Sequence, residues 1–246
     1  MAESLVDLRD LSMRFGGIAA LSGVTFRTQP AELVGIIGPN GAGKTTLFNV
    51  MSGIAPPTAG SFTFDGAELI RRPAYVFNRL GVARTFQTAR VFRNLPVREN
   101  VQFGLRFPWR RGGRAADMRA EADAIMARLG LIDQAEIAAG SLPPTRQRLL
   151  EIAMALATNP RLLLLDEVAA GLTQHEAEAI ASLIQSIRRE SGISVIWIEH
   201  NVVTLMRTVD RVIVLHHGEV LADGAPADVS RDRAVIDAYL GEAALE

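Results

Sequence analysis

Leu33-Val34-Gly35-Ile36-Ile37 runs straight into Gly38-Pro39-Asn40-Gly41-Ala42-Gly43-Lys44-Thr45-Thr46, an apolar strand feeding a glycine-rich loop, with a helical run from Thr46 to Gly53 behind it. That order decides both the fold and the class of ligand. Glycines let such a loop bend until its backbone N–H groups converge on phosphate oxygens, while the following helix points its positive end at the same anion. The pattern predicts a nucleoside triphosphate, with Lys44 reaching the β- and γ-phosphates. Thr45 offers its hydroxyl to Mg²⁺, an ion that needs few protein ligands beside phosphate and water.

Composition narrows what surrounds this loop. A chain of 246 residues that is 48% apolar has material for one large domain or two small ones. A formal net charge of −1 leaves no electrostatic footprint for nucleic acid, so no nucleic-acid partner is expected. Zero cysteines exclude disulfides and thiolate metal sites, and suit a reducing compartment. Met1-Ala2-Glu3-Ser4-Leu5-Val6-Asp7 lacks the basic-then-apolar order of a signal peptide. No uninterrupted apolar stretch approaches the roughly eighteen residues that span a bilayer, so a membrane role is expected to be peripheral.

Outward from the loop, residues 5 to 28 read as two strands, with an alternating run Leu21 to Phe26 after Gly16-Gly17. Ser61-Phe62-Thr63-Phe64-Asp65-Gly66 reads as a short strand ending in a turn, and Gly81 to Phe86 as another. Between Pro96 and Pro160 strand signals give way to alanine-rich helical patterns, notably Ala115 to Leu129 and Gln147 to Thr158. Strands return at Leu162 to Leu165, Ile193 to Ile198 and Arg211 to Leu215, with an amphipathic helix Gln174 to Glu190 between the first two. The alternation predicts an α/β fold with a parallel sheet covered by helices and a helical insert at about residues 96–160.

Arg161-Leu162-Leu163-Leu164-Leu165-Asp166-Glu167 is an apolar strand ending in two acids, and α/β proteins place ligands at strand ends. With the phosphate loop upstream, Asp166 is expected to organise the magnesium shell. Glu167 is expected to polarise a water for in-line attack on the γ-phosphorus. His200 follows the strand Ile193 to Ile198 and the acid Glu199. It suits contact with the γ-phosphate, although a lone histidine taken by itself reads more readily as a polar helix start. Gln87, after the strand Gly81 to Phe86, is a magnesium ligand or an ordinary loop amide.

In this order the pieces resemble the ATP-binding subunit of ABC transporters, from about Leu5 to Glu242. The resemblance implies that Phe15 stacks on adenine, Gln87 is the glutamine of the loop that bears its name, Glu167 is the catalytic glutamate and His200 the switch histidine. It also implies a P-loop core, a small antiparallel β subdomain and an inserted helical subdomain, all within one ATP-binding domain over residues 1–246. Phe15-Gly16-Gly17-Ile18-Ala19-Ala20-Leu21, Ala83-Arg84-Thr85-Phe86-Gln87 and Val235-Ile236-Asp237-Ala238-Tyr239-Leu240-Gly241-Glu242 resemble the subunits serving branched-chain amino acid uptake and the related importers of amides, urea and small carboxylates. The implied cofactors are ATP and Mg²⁺. The implied partners are a second ABC ATPase subunit, transmembrane permease subunits and, indirectly, a substrate-binding protein, with the chain on the cytoplasmic face of the plasma membrane. An exporter or lipid-extraction ATPase, a soluble ABC protein, and a P-loop kinase or GTPase are the alternatives; Glu167 with His200 disfavours the last.

One motif departs from the family. Where a Leu-Ser-Gly-Gly-Gln-like signature is expected, the chain has Leu142-Pro143-Pro144-Thr145-Arg146, and proline offers neither hydroxyl nor N–H. Either Thr145 and Arg146 substitute in part, or the chain pairs as a heterodimer with a signature-complete partner. Thr173 in Ala169-Ala170-Gly171-Leu172-Thr173 stands where an acid or amide is common. Phe107-Pro108-Trp109-Arg110-Arg111-Gly112-Gly113-Arg114 reads as a solvated loop, with headgroup or membrane-subunit contact as its alternative. His216-His217 before Gly218 reads as a hairpin end rather than a metal site. Arg90, Phe92 and Arg93 are implied by the resemblance as contacts to a membrane subunit.

Overall fold

The computed structural model describes residues 4–108 and 118–243. Trp109-Arg110-Arg111-Gly112-Gly113-Arg114, and residues 115–117 of the expected helix, lie outside the described residues.

Two sheets organise the chain. β1 (Val6–Phe15), β2 (Ile18–Thr28), β4 (Ala59–Phe64) and β5 (Ala67–Glu68) form an antiparallel sheet in the order β2-β1-β4-β5. β3 (Leu33–Ile37), β6 (Val82–Arg84), β7 (Leu162–Asp166), β8 (Ser194–Ile198), β9 (Arg211–His216) and β10 (Glu219–Gly224) form the second sheet in the order β10-β9-β3-β8-β7-β6. In this sheet β6 to β9 and β3 run parallel, and only β10 turns back on β9. The turn is at His217-Gly218, as the sequence suggests, and no group of three metal-binding side chains gathers there or elsewhere among the described residues.

The run of leucines in β7 follows from its position. Successive side chains of a strand point to opposite faces, and a central parallel strand is covered on both. Leu163 and Leu165 accordingly enter one core with Val195 and Trp197, whereas Leu162 and Leu164 enter the other with Val34, Ile36, Ile196 and Ile198. The second core also holds Leu8, Phe26, Phe62 and Phe64 from the antiparallel sheet and Leu47, Phe48, Val50 and Met51 from α1 (Lys44–Met51). The helix behind the phosphate loop is thus clamped between the two sheets.

The stretch expected to be helical holds α3 (Val97–Leu105), α4 (Met118–Arg128) and α5 (Pro144–Ala157), after a short α2 (Ala74–Leu80) that sequence periodicity did not reveal. α5 starts at Pro144 rather than Gln147. Pro143 is extended and Pro144 occupies the first helical position, where a preset φ favours helix initiation. α6 (Gln174–Ser191) buries Ala177, Ile180, Ala181, Ile184 and Ile187, the spacing of one helix face. α7 (Val202–Thr208), α8 (Pro226–Val229) and α9 (Arg233–Ala243) complete the chain. Among the described residues no helix is long and apolar enough to cross a membrane.

Candidate active site

The phosphate loop joins β3 to α1, and its glycines answer to specific neighbours. A Cβ on Gly38 would stand 2.1 Å from the carbonyl oxygen of Leu215, and one on Gly43, at φ 100°, would stand 2.5 Å from that of Ala20. At Gly38 and Gly43 the loop is therefore wedged against β9 and β2 with room for glycine alone, whereas Gly41 faces open space. Lys44 is buried, and its Nζ donates to the carbonyls of Gly38 (2.5 Å) and Pro39 (2.7 Å). Asn40, Gly41 and Thr45 are exposed around it, and Thr46 is half-buried. Phe15 ends β1 at the tip of the first hairpin and is 54% exposed. α1 starts without a side-chain cap, leaving its first N–H groups to the loop's concave face.

Strand register brings the remaining candidates together. Arg84 of β6 pairs with Leu164 of β7, and Asp166 of β7 with Ile198 of β8, so Gln87, Glu167 and His200 all leave the same end of the sheet. Gln87 Nε2 donates to Glu167 Oε2 at 2.8 Å, and His200 Nε2 stands 2.8 Å from Glu167 Oε1. Each carboxylate oxygen has its own oriented neighbour. Glu167 is itself buried and holds a left-handed backbone at φ 52°, a costly conformation for a non-glycine residue of the kind that gathers at functional sites. Its N–H donates to Ile198 O at 2.9 Å and its carbonyl accepts from Arg148 Nη1 at 2.8 Å, which fixes that turn from two sides.

Asp166 is held by residues that no catalytic motif marks. Arg84, its side chain 5% exposed, donates to Asp166 Oδ2 at 2.8 Å and also to Asn49 and Ser52 of the α1 end, while Thr85 Oγ1 accepts the Asp166 N–H. Burial pushes the Asp166 carboxyl above its ordinary range, and the Arg84 guanidinium opposes that shift. Asp166 Oδ1 is buried without a hydrogen-bond partner. A water of a magnesium shell would satisfy this acceptor, so the donor set of Thr45, Gln87 and Asp166 fits the ion by its all-oxygen chemistry.

Two further carboxyls support the loops. Glu199 is buried; its Oε1 accepts from Ala169 N–H (2.6 Å) and the Trp197 indole (3.1 Å), and burial raises its pKa. Glu151 of α5 is also buried, and its Oε1 accepts from the N–H groups of Phe86 (3.2 Å) and Arg90 (3.0 Å). Glu199 adjoins His200 in the sequence, whereas Glu151 is marked there only as an acid within a largely apolar helical run.

The altered signature and the Thr173 loop have local explanations. Pro143 and Pro144 open α5, Arg146 Nη1 turns back to the Gly130 carbonyl at 2.8 Å, and Gln147 Nε2 reaches Leu142 O at 2.8 Å. Thr173 caps α6: its Oγ1 accepts from Glu176 N–H while the Glu176 carboxylate takes the Thr173 N–H, a reciprocal capping box.

Residues 21–170 match the family model described as ABC transporter, and residues 219–244 match one described as Branched-chain amino acid ATP-binding cassette transporter. The chain is 37% identical over 255 residues to the High-affinity branched-chain amino acid transport ATP-binding protein BraF of Pseudomonas aeruginosa, covering 99% of this chain and 100% of the relative. It superposes with a TM-score of 0.88 and 27% identity on the ADP conformation of MJ1267, an ATP-binding cassette of an ABC transporter, over 97% of this chain and 99% of that one. A dimeric post-hydrolysis state of the ATP-binding cassette MJ0796 bound to ADP and Pi gives a TM-score of 0.81 at 26% identity, over 90% of this chain and 98% of that one. With its phosphate loop, the acids at the end of β7 and full-length similarity in both sequence and fold, the chain belongs to the ABC transporter family of ATP-binding cassettes.

Proposed function

We propose that this chain is the ATP-hydrolysing subunit of an importer for branched-chain amino acids or closely related small amides and carboxylates, seated on the cytoplasmic face of the plasma membrane. The observation that carries the hydrolytic part is Glu167, whose two oxygens are each engaged at 2.8 Å by Gln87 and His200. The importer part rests on full-length similarity to BraF and on the match at residues 219–244. Residues 1–246 act as one ATP-binding unit with a helical arm at about 96–160.

Phe15 stacks on adenine, Gly38 to Thr46 cradle the phosphates, and Lys44 exchanges its loop carbonyls for phosphate oxygens. Glu167 accepts a proton from water as the water oxygen bonds to the γ-phosphorus and the bond to the bridging oxygen breaks, leaving ADP and phosphate. His200 holds the γ-phosphate side of that water, and Gln87 orients the carboxylate. Thr45, Gln87 and Asp166 would hold Mg²⁺, which would supply charge neutralisation of the phosphates.

The second half of the site comes from another ATPase subunit. Pro143 and Pro144 withhold two N–H groups from the signature, and Arg146 is committed to Gly130, which favours a heterodimer with a signature-complete partner. The permease seat is a groove of about 380 Å³ lined by Phe86, Arg90, Phe103, Phe107 and Met154. Phe103 and Phe107 of this groove and the neighbouring Phe92 meet edge-on or tilted, with centroids 4.5 and 5.4 Å apart, and are substantially exposed, a patch suited to an apolar segment of a membrane subunit. Arg90 and Arg93 are exposed beside them.

The test is to isolate the tagged chain with its detergent-solubilised partners and measure ATP turnover beside uptake of labelled leucine by cells. Glu167→Gln is expected to cut turnover at least a hundred-fold while ATP still binds, and loss of the chain to abolish uptake. Full turnover by Glu167→Gln would sink the hydrolytic assignment, and unaffected leucine uptake the substrate.

A further inference from the structure

Among the described residues, α5 is the element that touches both arms of the hydrolytic set. Arg148 and Glu151 lie three positions apart, on one helix face. Arg148 holds the carbonyl of Glu167, and Glu151 holds the N–H groups of Phe86 and Arg90, which bracket Gln87. Gln87 itself is exposed, and its side chain hydrogen-bonds Glu167 and no other of the described residues. The reach of its amide is therefore set by where the ends of its turn are pinned. Both pins go to one oxygen, Glu151 Oε1, on a residue 5% exposed. The Arg90 guanidinium packs 3.9 Å over the Phe86 ring and closes the turn from outside.

We propose that Glu151 is a positioning residue for ATP hydrolysis: its carboxylate clasps the two ends of the Gln87 turn to α5, so that the Gln87 amide meets Glu167. This rests on the reading of Glu167 and Gln87 as hydrolytic residues. The same α5 begins at the altered signature and reaches the aromatic groove through Glu151 and Met154. Movement of the helical arm, whether from a partner at the signature end or from an occupant of the groove, thus reaches the Gln87 turn through Glu151, while Asn100 of α3 holds the Phe92 backbone further along the same loop. The charged groups acting on Glu151 are the cations Arg90, Arg148 and Arg84, which favour its ionised form, against burial, which raises its pKa to about 7.

The experiment compares ATP turnover of the isolated complex carrying Glu151→Ala, Glu151→Gln, Gln87→Ala or the Gln87→Ala/Glu151→Ala pair. Glu151→Ala is expected to lower kcat about ten-fold and to change KM for ATP less than two-fold, since nucleotide affinity lies with the phosphate loop and Phe15. Added to Gln87→Ala, it is expected to cost less than a further two-fold, because the clasp acts only through Gln87. Glu151→Gln keeps a carbonyl acceptor and should recover at least half the rate, and the ratio of native to Glu151→Gln rates should fall towards one as pH drops through about 7. Rates within two-fold of native for Glu151→Ala, a full multiplicative loss in the pair, or no recovery by Glu151→Gln would each overturn the proposal. Should Glu151→Ala fail to fold, Glu151→Asp, one methylene shorter, replaces it with the same expected split. Glu167→Gln serves as control: if it stays active the hydrolytic reading fails, whereas an inactive Glu167→Gln with an unaffected Glu151→Ala removes only the clasp.

Discussion

The starts of α1 and α5 are two answers to the same physical problem. Each helix opens with N–H groups that have no partner within the helix. At α1 these groups follow Gly41-Ala42-Gly43 and are left to the concave loop, with no side-chain cap. At α5 two of the positions that would offer them are Pro143 and Pro144, which launch the helix well and give an anion nothing. The start of α6 is a third solution, closed by the reciprocal cap between Thr173 and Glu176. One helix end is thus shaped for a ligand, and the other two for their own stability. In the proposed heterodimer, the phosphate-loop half of the site can stay intact while the signature half drifts, provided the partner supplies the missing half.

The largest effect expected from this contrast comes from rebuilding the α5 start. The P143S/P144G/T145G/R146Q chain should hydrolyse ATP about a hundred-fold faster in isolation than the native chain. Restoring two charge-assisted hydrogen bonds of ~1.5–3 kcal/mol each to the transition state accounts for that gain. Steady-state turnover of the two purified chains checks it, and equal rates would break the comparison.

A smaller effect is expected inside α5. The folded-state pKa of Glu151 stands near 7 against an ordinary 4.5, so between those values the folded chain keeps a proton that the unfolded chain has lost. Stability should fall as pH rises from about 4.5 to about 7 and stay at the lower level above, by about 3 kcal/mol from this residue. Glu151→Gln should flatten that dependence and be the more stable protein above pH 7, which denaturant titration across the window measures. A steep pH dependence kept in Glu151→Gln would place its origin elsewhere.

The smallest effect belongs to the α6 start. Thr173→Ala removes the cap and should cost about 1 kcal/mol in denaturant unfolding. ATP affinity should be unchanged, since this helix end serves no anion. A loss of ATP binding without a loss of stability would show that Thr173 has a nucleotide role and blur the contrast with α1.

Legibility in the sequence followed how local each feature is. The phosphate loop is contiguous, so Gly38 to Thr46 could be read residue by residue, and β7 betrayed its double burial by being uniformly apolar. Gln87, Glu167 and His200 were each visible only as a polar residue beyond a strand, and their resemblance to a known order was needed to connect them. The register of β6, β7 and β8 brings them within hydrogen-bonding distance. Arg84, Arg148 and Glu151 had no assigned role because each serves a partner far away in the chain: Arg84 reaches Asp166, Arg148 the Glu167 carbonyl, and Glu151 the Phe86 and Arg90 amides. Thr173 stands where an acid or amide is common, and its reciprocal cap with Glu176 is a local reason for a threonine there.

The sequence alone determined the class of ligand, the alternation of strands and helices and the helical insert, because loop chemistry and hydrophobic period act over a few neighbouring residues. The tertiary structure decided which buried charges hold the site: how Asp166 is paired, which oxygen of Glu167 each neighbour takes, and that α5 pins the Gln87 turn. Those choices depend on strand register and helix packing, which bring side chains from distant parts of the chain to within about 3 Å of one another, a distance at which a hydrogen bond forms and which no local pattern encodes.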